Sequence, residues 1–133
     1  MKFSTRTTYG LRAMIKLAQS WKKDSLSLPT IAKEEGISLP YLERLFAKLK
    51  KDNLVVAEKG SAGGYKLSCS PNKITVFDII KTLEGDMTTF HCLGEDGKIY
   101  CDIKCNCKAL IVLNKVQKAI NKTLKDIKLS DLI

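Results

Sequence analysis

Four cysteines, Cys92, Cys101, Cys105 and Cys107, fall in the stretch HCLGEDGKIYCDIKCNC, beside the chain's one histidine, His91. Their spacing is C-x8-C-x3-C-x-C. Thiolates are soft ligands that select zinc, copper(I) or iron–sulfur clusters. Structural zinc commonly uses knuckles of about C-x2–4-C, and only Cys101 and Cys105 come near that pattern. Iron–sulfur clusters accept irregular loops, because the cluster is itself the template. Lys98, Lys104 and Lys108 stand among these thiols and favour the thiolate. The residue types point first to an iron–sulfur cluster. A zinc site, a metal-free thiol switch and incidental core thiols are the other readings. His91 is a possible ligand, although a single loop histidine is more often held by ordinary hydrogen bonds. Cys69 lies apart, in what reads as a strand, and is expected to be a small buried apolar residue.

What must position these thiols is a chain of 133 residues, 44% of them apolar, enough for one modest core. No run approaches the roughly 18 uncharged apolar residues of a membrane span. The N-terminus, MKFSTRTTYGLRAM, lacks the apolar centre of a signal peptide. A soluble cytoplasmic protein is expected, and in that compartment clustered cysteines suggest metal or redox chemistry more than disulfides. The count of five is odd, which also argues against full pairing. The net charge is +9 and uneven. Residues 1–66 carry 13 Lys/Arg against 6 Asp/Glu, for +7; residues 67–133 carry 10 against 8, for +2. The front half is the electrostatic candidate for a polyanion, unless the charge serves solubility alone.

Apolar spacing and caps give the elements. A helix is expected over 5–21, capped by Ser4, with Leu11, Met14, Ile15, Ala18 and Trp21 on one face. A short helix over 28–35 is capped by Ser27 and ended by Gly36. The next begins after Ser38, tolerates Pro40 in its first turn, and carries the stripe Leu42, Leu45, Phe46, Leu49. LVVAEKG and GYKLS read as strands joined by the turn KGSAGG. Thr75 opens a helix that Gly85 ends. A last helix over about 107–127 places Ala109, Leu113, Val116, Ile120 and Ile127, with Leu124 beside them, on a heptad-like seam broken at Thr123. No repeat and no low-complexity linker is present.

Two short helices, a tight turn and a two-stranded hairpin make a winged helix-turn-helix pattern, mainly α with a small β-hairpin wing. Opposite the apolar stripe of the second helix stand Tyr41, Arg44, Lys48 and Lys51, suited to phosphates and guanine edges. Glu43 repels phosphate but can accept from a cytosine amino group. Lys59, Gly60 and Ser61 sit at the hairpin tip, where a wing would meet the minor groove. A two-fold dimer would read two half-sites, and the last helix offers a seam for it, unless it folds back on its own domain. No catalytic set is visible: there is no second histidine, no phosphate-cradling glycine loop and no nucleophile motif. An enzyme is therefore not expected.

Four blocks, MKFSTRTTYGLRAM, ISLPYLERLFAKLKKDNLV, KGSAGGYKL and ITVFDIIKTLEG, resemble the Rrf2 family of bacterial winged-helix regulators. Its members include the iron–sulfur regulator IscR, the nitric oxide sensor NsrR and the cysteine-metabolism repressor CymR. The resemblance covers about residues 1–127. It implies a cytoplasmic homodimer on double-stranded DNA with a long crossing helix. Carried over by position, Ser38, Pro40, Tyr41, Glu43 and Arg44 face the major groove, and Lys59, Gly60 and Ser61 form the wing contact. In IscR-type members three cysteines hold a 2Fe-2S cluster; CymR-type members lack them and pair with a cysteine-synthesis enzyme. Here Cys101 and Cys107 match the second and third ligands, and Cys92 the first with a longer gap. The IscR-type histidine position holds Leu110, and the segment STRTTYG lacks the NsrR-type aspartate. Cys105 and His91 remain as fourth ligands. The resemblance thus implies a repressor sensing iron–sulfur, redox or nitric oxide status. The alternatives are a metal-free thiol switch, a CymR-like partner-controlled regulator of sulfur metabolism, or a structural zinc site. Expected units are a DNA-binding domain over 1–85, a cysteine-rich loop over 86–107, and a dimerisation helix and tail over 108–133.

Overall fold

The computed structural model describes residues 3–60, 63–90, 92–94 and 107–133. Ser61, His91, Lys98, Cys101, Lys104 and Cys105 lie outside the described residues. Local hydrogen bonds explain where each helix begins. Ser4 Oγ accepts from the Arg6 N–H at 3.2 Å and opens α1, Thr5–Gln19. Ser27 Oγ accepts from Thr30 N–H at 3.2 Å and opens α2, Leu28–Glu35, which Gly36 ends at φ 64°. Ser38 Oγ accepts from Tyr41 N–H at 3.3 Å, with a proline in the first turn, and opens α3, Leu39–Lys51. Thr75 and Asp78 form a reciprocal capping box, at 3.1 and 3.0 Å, for α4, Val76–Glu84. The final long helix, α5, is Ala109–Asp126.

Two boundaries differ from the sequence expectation. α1 stops at Gln19, short of Trp21, because Ser20 and Trp21 bond back three residues, to Leu17 and Ala18, and tighten the last turn. Cys69 lies in the bend after β2 rather than in it, and it is half-buried against the core. β1, Val55–Glu58, pairs antiparallel with β2, Gly64–Leu67, with Val55 opposite Leu67 and Glu58 opposite Gly64. Leu26 adds a further bridge: its N–H donates to Tyr65 O at 3.0 Å and its carbonyl accepts from Tyr65 N–H at 2.8 Å. A side chain at Gly64 would strike the Leu26 backbone, so this close approach requires glycine.

The core gathers Met14 and Leu17 of α1, Ile31 of α2, the α3 stripe, and Ile79 and Leu83 of α4. Gly10 faces Leu83, and a Cβ at residue 10 would overlap that side chain. After α5 the chain returns to this core. Val76 N–H donates to Ile127 O at 2.8 Å, Leu129 N–H donates to Ile74 O at 3.0 Å, and Leu129 is fully buried. A second cluster of Val76, Phe77, Ile80 and Met87 joins α4 to Leu11, Leu124 and Ile127. The seam of α5 is only partly covered by its own fold: Leu124 and Ile127 join the second cluster, Leu113, Val116 and Ile120 are half-buried, and beside the seam Ile111 and Val112 are each 61% exposed.

Glu84, at the end of α4, clasps the start of α1. Its Oε1 accepts from the Ser4 hydroxyl, from Ser4 N–H at 3.2 Å and from the Thr7 hydroxyl at 2.5 Å, and Arg6 stands 3.4 Å from Oε2. Burial acts to raise the Glu84 pKa, but the hydroxyls, the Ser4 N–H and Arg6 outweigh it and hold it below the ordinary value. The folded state thus binds this proton less readily than the unfolded chain. The clasp stabilises fully above the ordinary glutamate pKa and is lost as pH falls through the lower, folded value. Urea titrations between pH 7 and pH 3 will show that Glu84→Gln lowers stability near neutrality and flattens its acid limb.

Candidate nucleic-acid interface and thiol loop

α3 buries Leu42, Leu45, Phe46 and Leu49 at 2% exposure or less. At roughly 100° per residue, Pro40, Arg44, Ala47 and Lys51 lie directly opposite, with Lys48 at one flank and Glu43 at the other. Ser38, Pro40, Glu43, Arg44, Lys48 and Lys51 are all exposed. Tyr41 is half-buried on the Lys48 flank, where α1 holds it. Its ring meets Tyr9 edge to face at 5.8 Å, and its hydroxyl lies 3.3 Å from Thr5 Oγ1. The Arg44 guanidinium sits 5.6 Å from the Tyr41 ring centroid. Thr5 and Tyr9 therefore orient two candidate DNA-reading side chains. Sequence reasoning missed both, since nothing in the pattern of α1 shows which face meets α3.

Part of the basic charge of the front half is paired with carboxylates away from this face. Glu34 pairs with Lys16 at 2.7 Å and Glu35 with Arg12 at 3.9 Å. Glu58 pairs with Lys66 at 2.9 Å, a hydrogen bond that holds the Glu58 pKa low. Arg44, Lys48 and Lys51 have no ion pair among the described residues. Lys59 and Gly60 are exposed at the hairpin tip, with Gly60 at φ 119°. A chain of unpaired cations along one helix face, flanked by a basic hairpin tip, can bind successive phosphates.

The thiol loop is anchored at both described ends. Cys92 is half-buried, Cys107 is exposed, and neither is in a disulfide. The Cys107 carbonyl accepts from Leu110 N–H at 3.1 Å at the start of α5. Among the described residues no three His, Cys, Asp or Glu side chains are gathered as a metal site. The described donors are two thiols, a set that suits soft metals or clusters.

The buried residue of α5 is Gln117, at 1% exposure. Its Oε1 accepts from Thr89 N–H at 2.8 Å and Thr89 Oγ1 at 2.7 Å. Its Nε2 donates to Met87 O at 2.9 Å and Asn121 Oδ1 at 3.0 Å. Sequence reasoning passed over it, although an amide between the seam residues Val116 and Ile120 was a signal. One turn earlier, Asn114 carries a buried side-chain oxygen without a partner among the described residues. No helix among the described residues is long and apolar enough to cross a membrane.

The Rrf2 family model, described as an iron-dependent transcriptional regulator, matches residues 3–133. The HTH-type transcriptional regulator IscR of Aliivibrio salmonicida is 31% identical over 133 residues, all of this chain and 77% of that protein. The HTH-type regulator CymR of Bacillus subtilis is 40% identical over 96 residues, 72% of this chain and 70% of that one. The solved structure of CymR, the global cysteine regulator of B. subtilis, superposes with a TM-score of 0.85. It is 31% identical over 99% of this chain and 95% of its own. The structure of T. potens IscR gives 0.79, at 36% identity over 99% and 85%.

Replacing Lys48 or Lys51 by Ala should weaken binding about equally on all duplexes. Each should reduce the slope of log affinity against log salt by about 0.9 if it meets one phosphate. Arg44→Ala should instead relax base preference at one position. Fluorescence anisotropy across a salt series, on a duplex selected by the wild-type chain and on variants of it, measures both.

Proposed function

Since this chain belongs to the Rrf2 family of winged-helix transcriptional regulators and is not an enzyme, we propose that it is a homodimeric repressor whose DNA binding answers to its loop thiols. The exposed cationic face of α3, without an ion pair among the described residues, carries the DNA-reading half of this proposal. Ser38, Pro40, Tyr41, Glu43, Arg44, Lys48 and Lys51 meet the major groove, and Lys59, Gly60 and Ser61 the minor groove. The half-exposed seam of α5 supports the homodimer, because apolar side chains left half in water are stabilised by a second copy. Residues 1–85 read DNA, 86–107 carry the thiols, and 108–133 supply the dimer helix.

For the sensor we assign Cys92, Cys101 and Cys107 as ligands of a 2Fe-2S cluster, with Cys105 or His91 as the fourth. When bound, such a cluster supplies a one-electron couple whose potential follows its ligands. Four thiolates place more negative charge around it than three with a neutral histidine, and so favour a lower potential. The rest falls to the chain. Its loop joins α4 to α5, so fixing the loop biases the spacing of two recognition helices only through a difference in affinity between the two arrangements. The CymR likeness supports a second reading, in which the thiols act without metal, or a partner protein sets the regulation.

An anaerobic absorbance spectrum with iron, sulfide and zinc analysis of the fresh protein decides among these. Visible bands with iron and sulfide in equal amounts, lost in Cys92→Ala, are expected. A colourless protein with stoichiometric zinc makes the loop structural. A metal-free protein, even after anaerobic reconstitution, favours the thiol switch or partner control.

A further inference from the structure

We propose that Gln117 is a positioning residue that ties the Cys92 arm of the thiol loop to α5, so that the state of Cys92 reaches that helix through one side chain. The proposal rests on the reading above that the loop thiols are the sensor. Gln117 is 1% exposed, and its amide makes two accepted and two donated hydrogen bonds, its full capacity. The orientation is fixed by the backbone: Thr89 N–H can only donate and Met87 O can only accept, so oxygen faces the first and nitrogen the second. The 86–90 segment arrives already shaped, since Asp86 accepts from Thr88 N–H at 2.9 Å and from the Thr88 hydroxyl at 2.6 Å.

Cys92 follows Thr89 by three residues, a reach of at most about 10 Å. Its other neighbour, Leu93, is 2% exposed and donates its N–H to Phe90 O at 3.2 Å. Cys92 is thus held from both sides. Cys107 is joined to α5 by the first turn of the helix itself, and Gln117 grips the opposite arm ten residues on, about 15 Å along the axis. A pull between Cys92 and Cys107 therefore acts on α5 at two separated points, one covalent and one through Gln117. Two points along a rod set its direction; one does not.

The test uses the full chain and a brief pulse of N-ethylmaleimide, read by mass spectrometry at Cys92 with Cys69 as the remote control. In Gln117→Met, Cys92 should label about ten-fold faster while Cys69 is unchanged, the mark of local opening. In the milder Thr89→Val, which loses only one donor, about three-fold is expected, and this variant decides if Gln117→Met also exposes Cys69. Unchanged Cys92 labelling in the deciding variant overturns the proposal. On a duplex selected by the wild-type chain, the affinity ratio between free and blocked thiols is then measured at fixed salt. A wild-type ratio away from one that falls to one in the deciding variant supports the proposal. The same ratio in that variant as in wild type sinks the proposal alone, whereas a wild-type ratio of one sinks the sensor reading and the proposal with it.

Discussion

The rest of the fold leans on the contact between Gly10 and Leu83, where α1 and α4 touch with no side chain on one of them. A β-carbon there would push the helices apart, and a buried leucine cannot yield far in a close-packed interior. With that spacing set, α1 serves as a common wall. One end is clasped by Glu84; the middle offers Tyr9 to Tyr41 on α3; and Leu11 joins the cluster shared by α4, Leu124 and Ile127. The positions of α3 and α5 are therefore both referred to one element.

Acidic residues are placed with the same economy. α2 presents Glu34 and Glu35 to Lys16 and Arg12 of α1, and the hairpin pairs Glu58 with Lys66. Each such pair is at least partly exposed and contributes little stability. Their effect is on the field: they cancel part of the basic charge away from α3, while Arg44, Lys48 and Lys51 face outward without an ion pair among the described residues. The carboxylate of α3 itself, Glu43, stands on the far flank from Tyr41 and Lys48, so it opposes the field least where those side chains gather.

Much of this was legible in the sequence because it is local. Ser4, Ser27, Ser38 and Thr75 each cap a helix within three residues, and the stripe Leu42, Leu45, Phe46, Leu49 needs only the helical period to be read. Gly36 ends α2 for a reason internal to its own backbone. What was not legible depends on residues far apart. Trp21 continues the apolar period of α1, yet the turn tightens before it. Nothing near Leu129 says that it enters a core made by residues 13–83. Gln117 drew no notice because its partners, Met87 and Thr89, lie some thirty positions earlier. For the candidate site, the outer face of α3 could be read from spacing, but the support that Thr5 and Tyr9 give Tyr41 needed the packing of α1 on α3. The thiol spacing suggests soft-ligand chemistry, but spacing alone does not say which side chains come together.

The return of Leu129 has a consequence for how the protein comes into being. The core that seats α3 includes a residue beyond α5, Leu129, and the edge bonds of Ile74 and Val76 wait on Leu129 and Ile127. During synthesis the three front helices leave the ribosome well before that plug exists. Contacts so distant along the chain form late and slowly. The core beneath α3 is thus completed only once α5 and the turn beyond it have been made. A nascent chain that has not yet made α5 therefore also lacks the last side chain of the core against which α3 packs.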